Sequence, residues 1–224
     1  MVKRTNLASR SLPSYTKGEE IFNMVTHIVG GAMGVLGLVY LIILSALKKD
    51  SWGIVGSAIY GSSLIALYTM SSVYHGLKES TAKKVMQVMD HCTIFFLIAG
   101  TYTPILLSAI RRVSPAWAWS IFGIVWGFAV LGIVLNAIDL RRYAKFSMIC
   151  YIGMGWCIIL AGKVALRAIP FNGFAYLLFG GIAYTIGAVF YILGVKHKYI
   201  HSVFHIFVVL GSLLQFLSIA GYII

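Results

Sequence analysis

Seven stretches of mostly apolar residues, each near the roughly 20 that a helix needs to cross a bilayer, limit what this chain can fold into. They run Ile21–Leu47, Trp52–Tyr74, Val85–Ile110, Ala116–Ile138, Phe146–Ala168, Gly173–Val195 and His201–Ile224, with short polar turns between them. Backbone polar groups find no partner in hydrocarbon, so such spans must be helices or strands of a closed barrel, and their length selects helices. The predicted architecture is an all-α integral membrane bundle of seven helices. Residues 1–18 form a cytosolic N-terminal tail, and residues 19–224 form one membrane domain with no repeats or linkers. Only 11% of the residues are charged and 60% are hydrophobic. A soluble domain carries about 25% charged residues, so this chain cannot cover itself in water.

The net charge of +12 could suggest nucleic acid. The basic residues instead punctuate the spans, where they act as topology signals and contacts for anionic lipid. The N-terminal tail and the second, fourth and sixth loops carry twelve Lys and Arg; the opposite side carries six. The positive-inside rule then puts the N-terminus in the cytosol and the C-terminus outside, the reverse of a G-protein-coupled receptor. The last helix has no lysine for a Schiff base, which disfavours a retinal protein. Cys92, Cys150 and Cys157 are odd in number and lie in apolar stretches, as buried small hydrophobes do. No apolar core for a cleavable signal peptide precedes the first span.

Ionisable groups inside a membrane are costly and tend to be functional. His75 ends the second span, Asp90 and His91 open the third, and His201 and His205 open the seventh. Glu19, Glu20, Asn23 and His27 open the first. The charge count used none of these residues, yet it places all of them at the cytosolic end. His201 and His205 are four apart and project from one helical face. A third histidine from a neighbouring helix would give three nitrogens and an open position, the layout of catalytic zinc. Ser71 lies one turn before His75, and Asp90 could hold a zinc-bound water and take its proton. The blander alternatives are interfacial histidines, a helix-start charge at Asp90 and a serine bonded to its own helix. Glu20, Asn23 and His27 form one stripe, either entering the site or making a structural ladder between helices. Gly30, Gly34 and Gly37 suit close helix approach, Trp52, Trp117 and Trp119 anchor span ends, and Pro104 kinks the third helix or ends its regular part.

Glu20-x-x-Asn23-x-x-Thr26-His27, Ser71-Ser72-Val73-Tyr74-His75, Met89-Asp90-His91 with Gly100-Thr101-Tyr102-Thr103-Pro104, and His201-Ser202-Val203-Phe204-His205 together resemble the hemolysin III family. Its wider superfamily includes the progestin and adiponectin receptors and the alkaline ceramidases. The resemblance implies a seven-helix fold with zinc held by His75, His201 and His205, Asp90 on a zinc-bound water and Ser71 near the metal. His91 and the Glu-Asn-His stripe point to the bacterial hemolysin III branch, so the ceramide substrate of other branches is not carried over.

Three functions follow as expectations for a multi-pass protein of a bacterial plasma membrane. The first is a zinc-dependent hydrolase of a lipid amide or ester, its substrate entering sideways from the membrane. The second is a non-enzymatic lipid sensor or regulator with structural zinc. The third is a channel or cytolysin, disfavoured because the polar groups crowd one end of the spans. Membrane lipids are the expected partners, and nucleic acid is not.

Overall fold

The structure is a computed structural model, and it describes Thr5, Leu7, residues 10–194 and residues 197–224. The regular structure among those residues is helical: α1 (Lys17–Leu47), α2 (Ser51–Gly76), α3 (Thr81–Pro104), α4 (Pro115–Gly155), α5 (Gly162–Ala168), α6 (Phe171–Leu193) and α7 (Ile200–Ser218). Six helical stretches are long and apolar enough to cross a membrane. Hydropathy predicts seven, and the difference lies in one place. Residues from Pro115 to Ala168 form a single 54-residue stretch. At about 1.5 Å per residue it is roughly 80 Å long, more than twice a hydrocarbon core of about 30 Å.

That stretch is kinked at Asp139, whose backbone (φ −158°, ψ 95°) is extended rather than helical. The Asp139 carboxylate accepts from the Arg142 N–H at 3.1 Å, so it caps the helix that restarts beyond it. Residues 140–145, expected as a loop, are therefore helical. Further on, the helix tightens into a 3₁₀ turn at Cys157–Ala161 before α5. Pro104 ends the regular part of its helix as expected: the backbone widens to a π-helix over Ile105–Ile110 immediately after it.

α1 is built inside-out. It exposes Ile28, Leu36, Ile43 and Leu47 and buries Glu19, Asn23, His27, Gly30, Gly34 and Gly37. A water-soluble helix does the opposite; lipid reverses the preference. A Cβ on Gly30 would lie 2.6 Å from the Tyr68 ring, so glycine is what lets α2 approach here. The stretch from Thr81 to Val113 is the central pillar, 83% buried along its most apolar window. α1 and α3 pack on α2, α4 packs on α3, and α7 packs on α6 and α1. This arrangement gathers the ends of α1, α2, α3 and α7 that carry the polar residues.

Candidate metal centre

The local sequence fixes each contributor. Thr16 caps α1: its hydroxyl accepts from the Glu19 N–H, and the Glu19 carboxylate accepts from the Thr16 N–H at 2.8 Å. The other Glu19 oxygen accepts from the Tyr199 N–H at 2.6 Å. Tyr199 is in the left-handed region (φ 59°) and turns the chain into α7. Glu19 thus ties the start of α7, with His201 two residues on, to the start of α1. Its neighbour Glu20 does different work. The Glu20 carboxylate lies 2.6 Å from His75 Nδ1 and accepts from Lys83 Nζ at 2.7 Å. A carboxylate can only accept, so Nδ1 carries a proton, and in the neutral ring Nε2 presents a lone pair.

His75, His201 and His205 are buried, and their ligand nitrogens all lie within 4.8 Å of one another. Nε2 of His201 and Nε2 of His205 are 3.1 Å apart. Two nitrogens on one tetrahedral ion at about 2.0–2.1 Å stand roughly 3.3 Å apart. His75 Nε2 is buried without a hydrogen-bond partner. A buried polar atom in that state is costly unless something binds it. Three imidazoles converging on one point, one of them oriented by a carboxylate, fit a borderline-soft divalent cation, and the cluster can hold one.

The other expected residues surround this cluster in different ways. Asp90 is outside the three-nitrogen group; its side chain is 16% exposed, on the wall of a large cavity that Ser71 also lines. His91 Nδ1 donates to Gln87 O (2.8 Å) and its Nε2 pairs with Tyr191 Oη (3.1 Å), and the Tyr191 ring lies 5.7 Å from that of His201. His27 packs its ring 3.9 Å from the His205 ring, with neither ring nitrogen paired. Asn23 is fully buried, and both ends of its amide are unpaired. The stripe on α1 therefore splits: Glu20 grips a cluster histidine, His27 stacks on another, and Asn23 stays apart from any partner.

Four residues near the cluster receive no site role from the sequence. Tyr15 stacks on His201 at 4.8 Å between centroids and 21° between planes, and it lies 5.7 Å from His75. Tyr74 lies 4.6 Å from the His75 ring, Tyr191 flanks His201, and Arg10 is buried at the cavity wall. Residues 10–15, read from sequence as tail, line the cavity. Their extended backbone has no helical period to reveal which side chains turn inward. Tyr74 had a signal in its place next to His75.

The cavity measures about 890 Å³ and extends from His27, His201, His205 and Asp90 down to Leu177 and Gln215. Its walls away from the histidines are mainly apolar.

Comparison with known proteins places the chain. A family model described as "Haemolysin-III related" matches residues 15–216. The chain belongs to the haemolysin III family. It is 37% identical to "Hemolysin-3" of Bacillus cereus over 206 residues, covering 92% of each chain. It is 36% identical over 208 residues to the "Hemolysin-3 homolog" of Bacillus subtilis, covering 93% of this chain and 96% of that one. The human "Monocyte to macrophage differentiation factor" is 27% identical over 209 residues, 90% of this chain and 80% of that protein. Membership in the haemolysin III family and six apolar helices make this a multi-pass membrane protein.

Proposed function

We propose that this haemolysin III protein is a zinc-dependent hydrolase of acyl lipids, with the amide or ester bond cut at the cytosolic end of the bundle. The observation that carries the reading is the cavity, in which His201 and His205 of the three-histidine cluster open onto a large, mainly apolar chamber. Its volume is at the upper end of the roughly 300–1,000 Å³ of small-molecule sites. An acyl chain fits the apolar part while its polar linkage stays beside the histidines.

In this reading the chain crosses seven times, with the kink at Asp139 separating the fourth and fifth crossings, and the N-terminus is cytosolic. The charge asymmetry of the loops supports that orientation. The Bacillus relatives support a bacterial plasma membrane as the location.

His75, His201 and His205 would hold the zinc, which supplies a Lewis acid able to acidify water near neutral pH. Glu20 holds the His75 ring with Nε2 turned inward and, through Lys83, ties α1 to α3. Asp90 is the carboxylate of the cavity wall and accepts the proton given up when water attacks; Ser71 orients that carboxylate. Tyr191 and His91 hold the α6 side of the chamber in place by their mutual bond. Tyr15 lies over His201 and keeps bulk water from the cluster.

That same stacking favours a second reading, a lipid sensor in which zinc is structural, because Tyr15 covers the His201 ring. Two measurements separate them. Purified wild type should carry one zinc per chain and release fatty acid from an acyl lipid, whereas His205→Ala should do neither. Zinc present without release of fatty acid from amides or esters would leave the sensor. Unchanged metal in His75→Ala and His201→Ala would remove both.

A further inference from the structure

Two donors on the cavity wall have no partner. Arg10 is 7% exposed, and its Nη2 donates to the Lys84 carbonyl at 2.6 Å, but its buried Nε is unpaired. Tyr74 is 2% exposed, and its hydroxyl is also buried and unpaired. Both residues line the cavity that contains His201 and His205. Tyr74 is one residue from His75, so the pair sits beside the histidines rather than at the far end.

Arg10 is a buried cation without a salt bridge among the described residues. Burial lowers its pKa from the ordinary guanidinium value, and Tyr74 and Asp139 compensate only in part. The nearest acidic candidate is already engaged: Asp139 accepts from the backbone N–H groups of Thr5 and Arg142. An arginine taken from water with an unpaired Nε–H, in the wall of a chamber, matches a missing anion. The unpaired hydroxyl of Tyr74, in the same wall, supplies a second donor. The sequence alone hides this pairing, because Arg10 lies in the extended segment before α1.

We propose that Arg10 and Tyr74 form an anion clamp, and that the lipid taken by this cavity bears a phosphate or carboxylate. This rests on the reading of the cavity as an acyl-lipid site and names the substrate class within it. Neutral lipids, which bring no charge to Arg10, are the poorer ligands. The clamp sets the anionic group at the cytosolic mouth and leaves the apolar chamber for the chain, so the linkage between them falls beside the histidines. Residues 10–15 thereby become part of the binding wall.

The test uses the full chain in nanodiscs and reads the thermal unfolding midpoint, without turnover. Wild type in phosphatidylcholine should gain stability as phosphatidylglycerol is titrated in. In Arg10→Gln the half-saturating fraction of phosphatidylglycerol should rise about tenfold, the loss expected for a charge-assisted hydrogen bond. Arg10→Lys keeps the charge and should fall between. Tyr74→Phe should not be less stable than wild type in neutral lipid, because it removes an unpaired buried hydroxyl, yet it should lose part of the gain. Lys78→Gln, an exposed cytosolic-side cation, should titrate like wild type. Equal titrations in wild type and Arg10→Gln would overturn the clamp. Inorganic phosphate in phosphatidylcholine nanodiscs distinguishes the source of the anion. If phosphate alone gives the full gain and phosphatidylglycerol adds nothing, the lipid assignment is wrong. Failure to hydrolyse any lipid leaves these titrations intact. Hydrolysis of neutral and anionic lipids at equal rates, insensitive to Arg10→Gln, defeats the clamp and keeps the hydrolase.

Discussion

The polar interior of this bundle is built in two ways. Toward its middle and the far end, hydroxyls are satisfied locally. Ser45, Thr101, Thr103 and Thr185 each donate to the carbonyl one turn back, at 2.7–2.8 Å. Tyr68 and Tyr184 both meet Ser212 Oγ at 2.7 Å, and Ser218 donates to Gly173 O. Ser108 is the exception there, buried with its hydroxyl unpaired. At the histidine end the pattern inverts: Asn23, His27, Tyr74, His75, Ser202, His205 and Arg10 all keep buried polar atoms without partners. Such groups each cost about 1–3 kcal/mol when left unpaired. A chain that satisfies its deep hydroxyls but leaves one end unsatisfied has shaped that end for something it binds. The expectation that polar groups crowd one end therefore needs refining. They extend through the bundle, but the ones left unpaired are concentrated at that end.

The sharpest way to break the comparison is to remove a member of the unpaired end and find nothing lost. His205→Ala should lose its zinc on dialysis against buffer, with lipid turnover abolished, as read by metal analysis and fatty-acid release. Next in size is Glu20→Gln. The variant still fills the space but no longer accepts strongly from His75 Nδ1, so zinc affinity should fall about 10–100-fold, the usual effect of losing such a partner. Competition with a chromophoric chelator would measure it. If Glu19→Gln weakened zinc more than Glu20→Gln, the division of labour between the two carboxylates would be wrong.

That division shows where sequence reading ends. The membrane class, the positions of the helices and the gathering of His75, His201 and His205 all follow from hydropathy, loop charges and the i, i+4 spacing. Those signals are local, or they accumulate over twenty residues. Glu19 and Glu20 are adjacent and chemically alike, and only the angle of α1 against α2 and α7 decides which one meets His75. The kink at Asp139 was harder still. The polar run from Asp139 to Lys145 reads as a loop, but an aspartate in an extended conformation caps a new helix with no intervening turn. Arg10 and Tyr15 reach the site by tertiary packing of an irregular segment, which leaves no period in the sequence.

Altering the satisfied region should move stability and leave zinc alone. Ser212→Ala removes the shared partner of Tyr68 and Tyr184 and strands both hydroxyls, at a cost of about 1–3 kcal/mol. Gly30→Ala drives a methyl against the Tyr68 ring, and overpacking of this kind also costs about 1–3 kcal/mol. Tyr68 lies edge-on to His27 at 5.0 Å, so Gly30→Ala tests whether strain from the satisfied region reaches the histidines. Thermal unfolding should show the loss in both variants, with one zinc per chain retained. Loss of zinc in Ser212→Ala would mean that the two regions are one network.

The smallest effect belongs to Ser45→Ala. Ser45 is fully buried, donates to Leu41 O at 2.7 Å and lies 3.2 Å from Ser57 Oγ. Removing its hydroxyl deletes a bond whose acceptor already takes a helical N–H. Ser57 can turn its own hydroxyl to the preceding turn of α2, as serines in membrane helices commonly do. No buried donor is then left without a partner. The expected loss is about 0.6 kcal/mol, the average for a side-chain hydrogen bond within a membrane bundle, against several times that for Ser212→Ala. Chemical unfolding in mixed micelles resolves that difference. A cost for Ser45→Ala as large as for Ser212→Ala would show that the far end has no slack, and the contrast between the two regions would then rest on the histidine end alone.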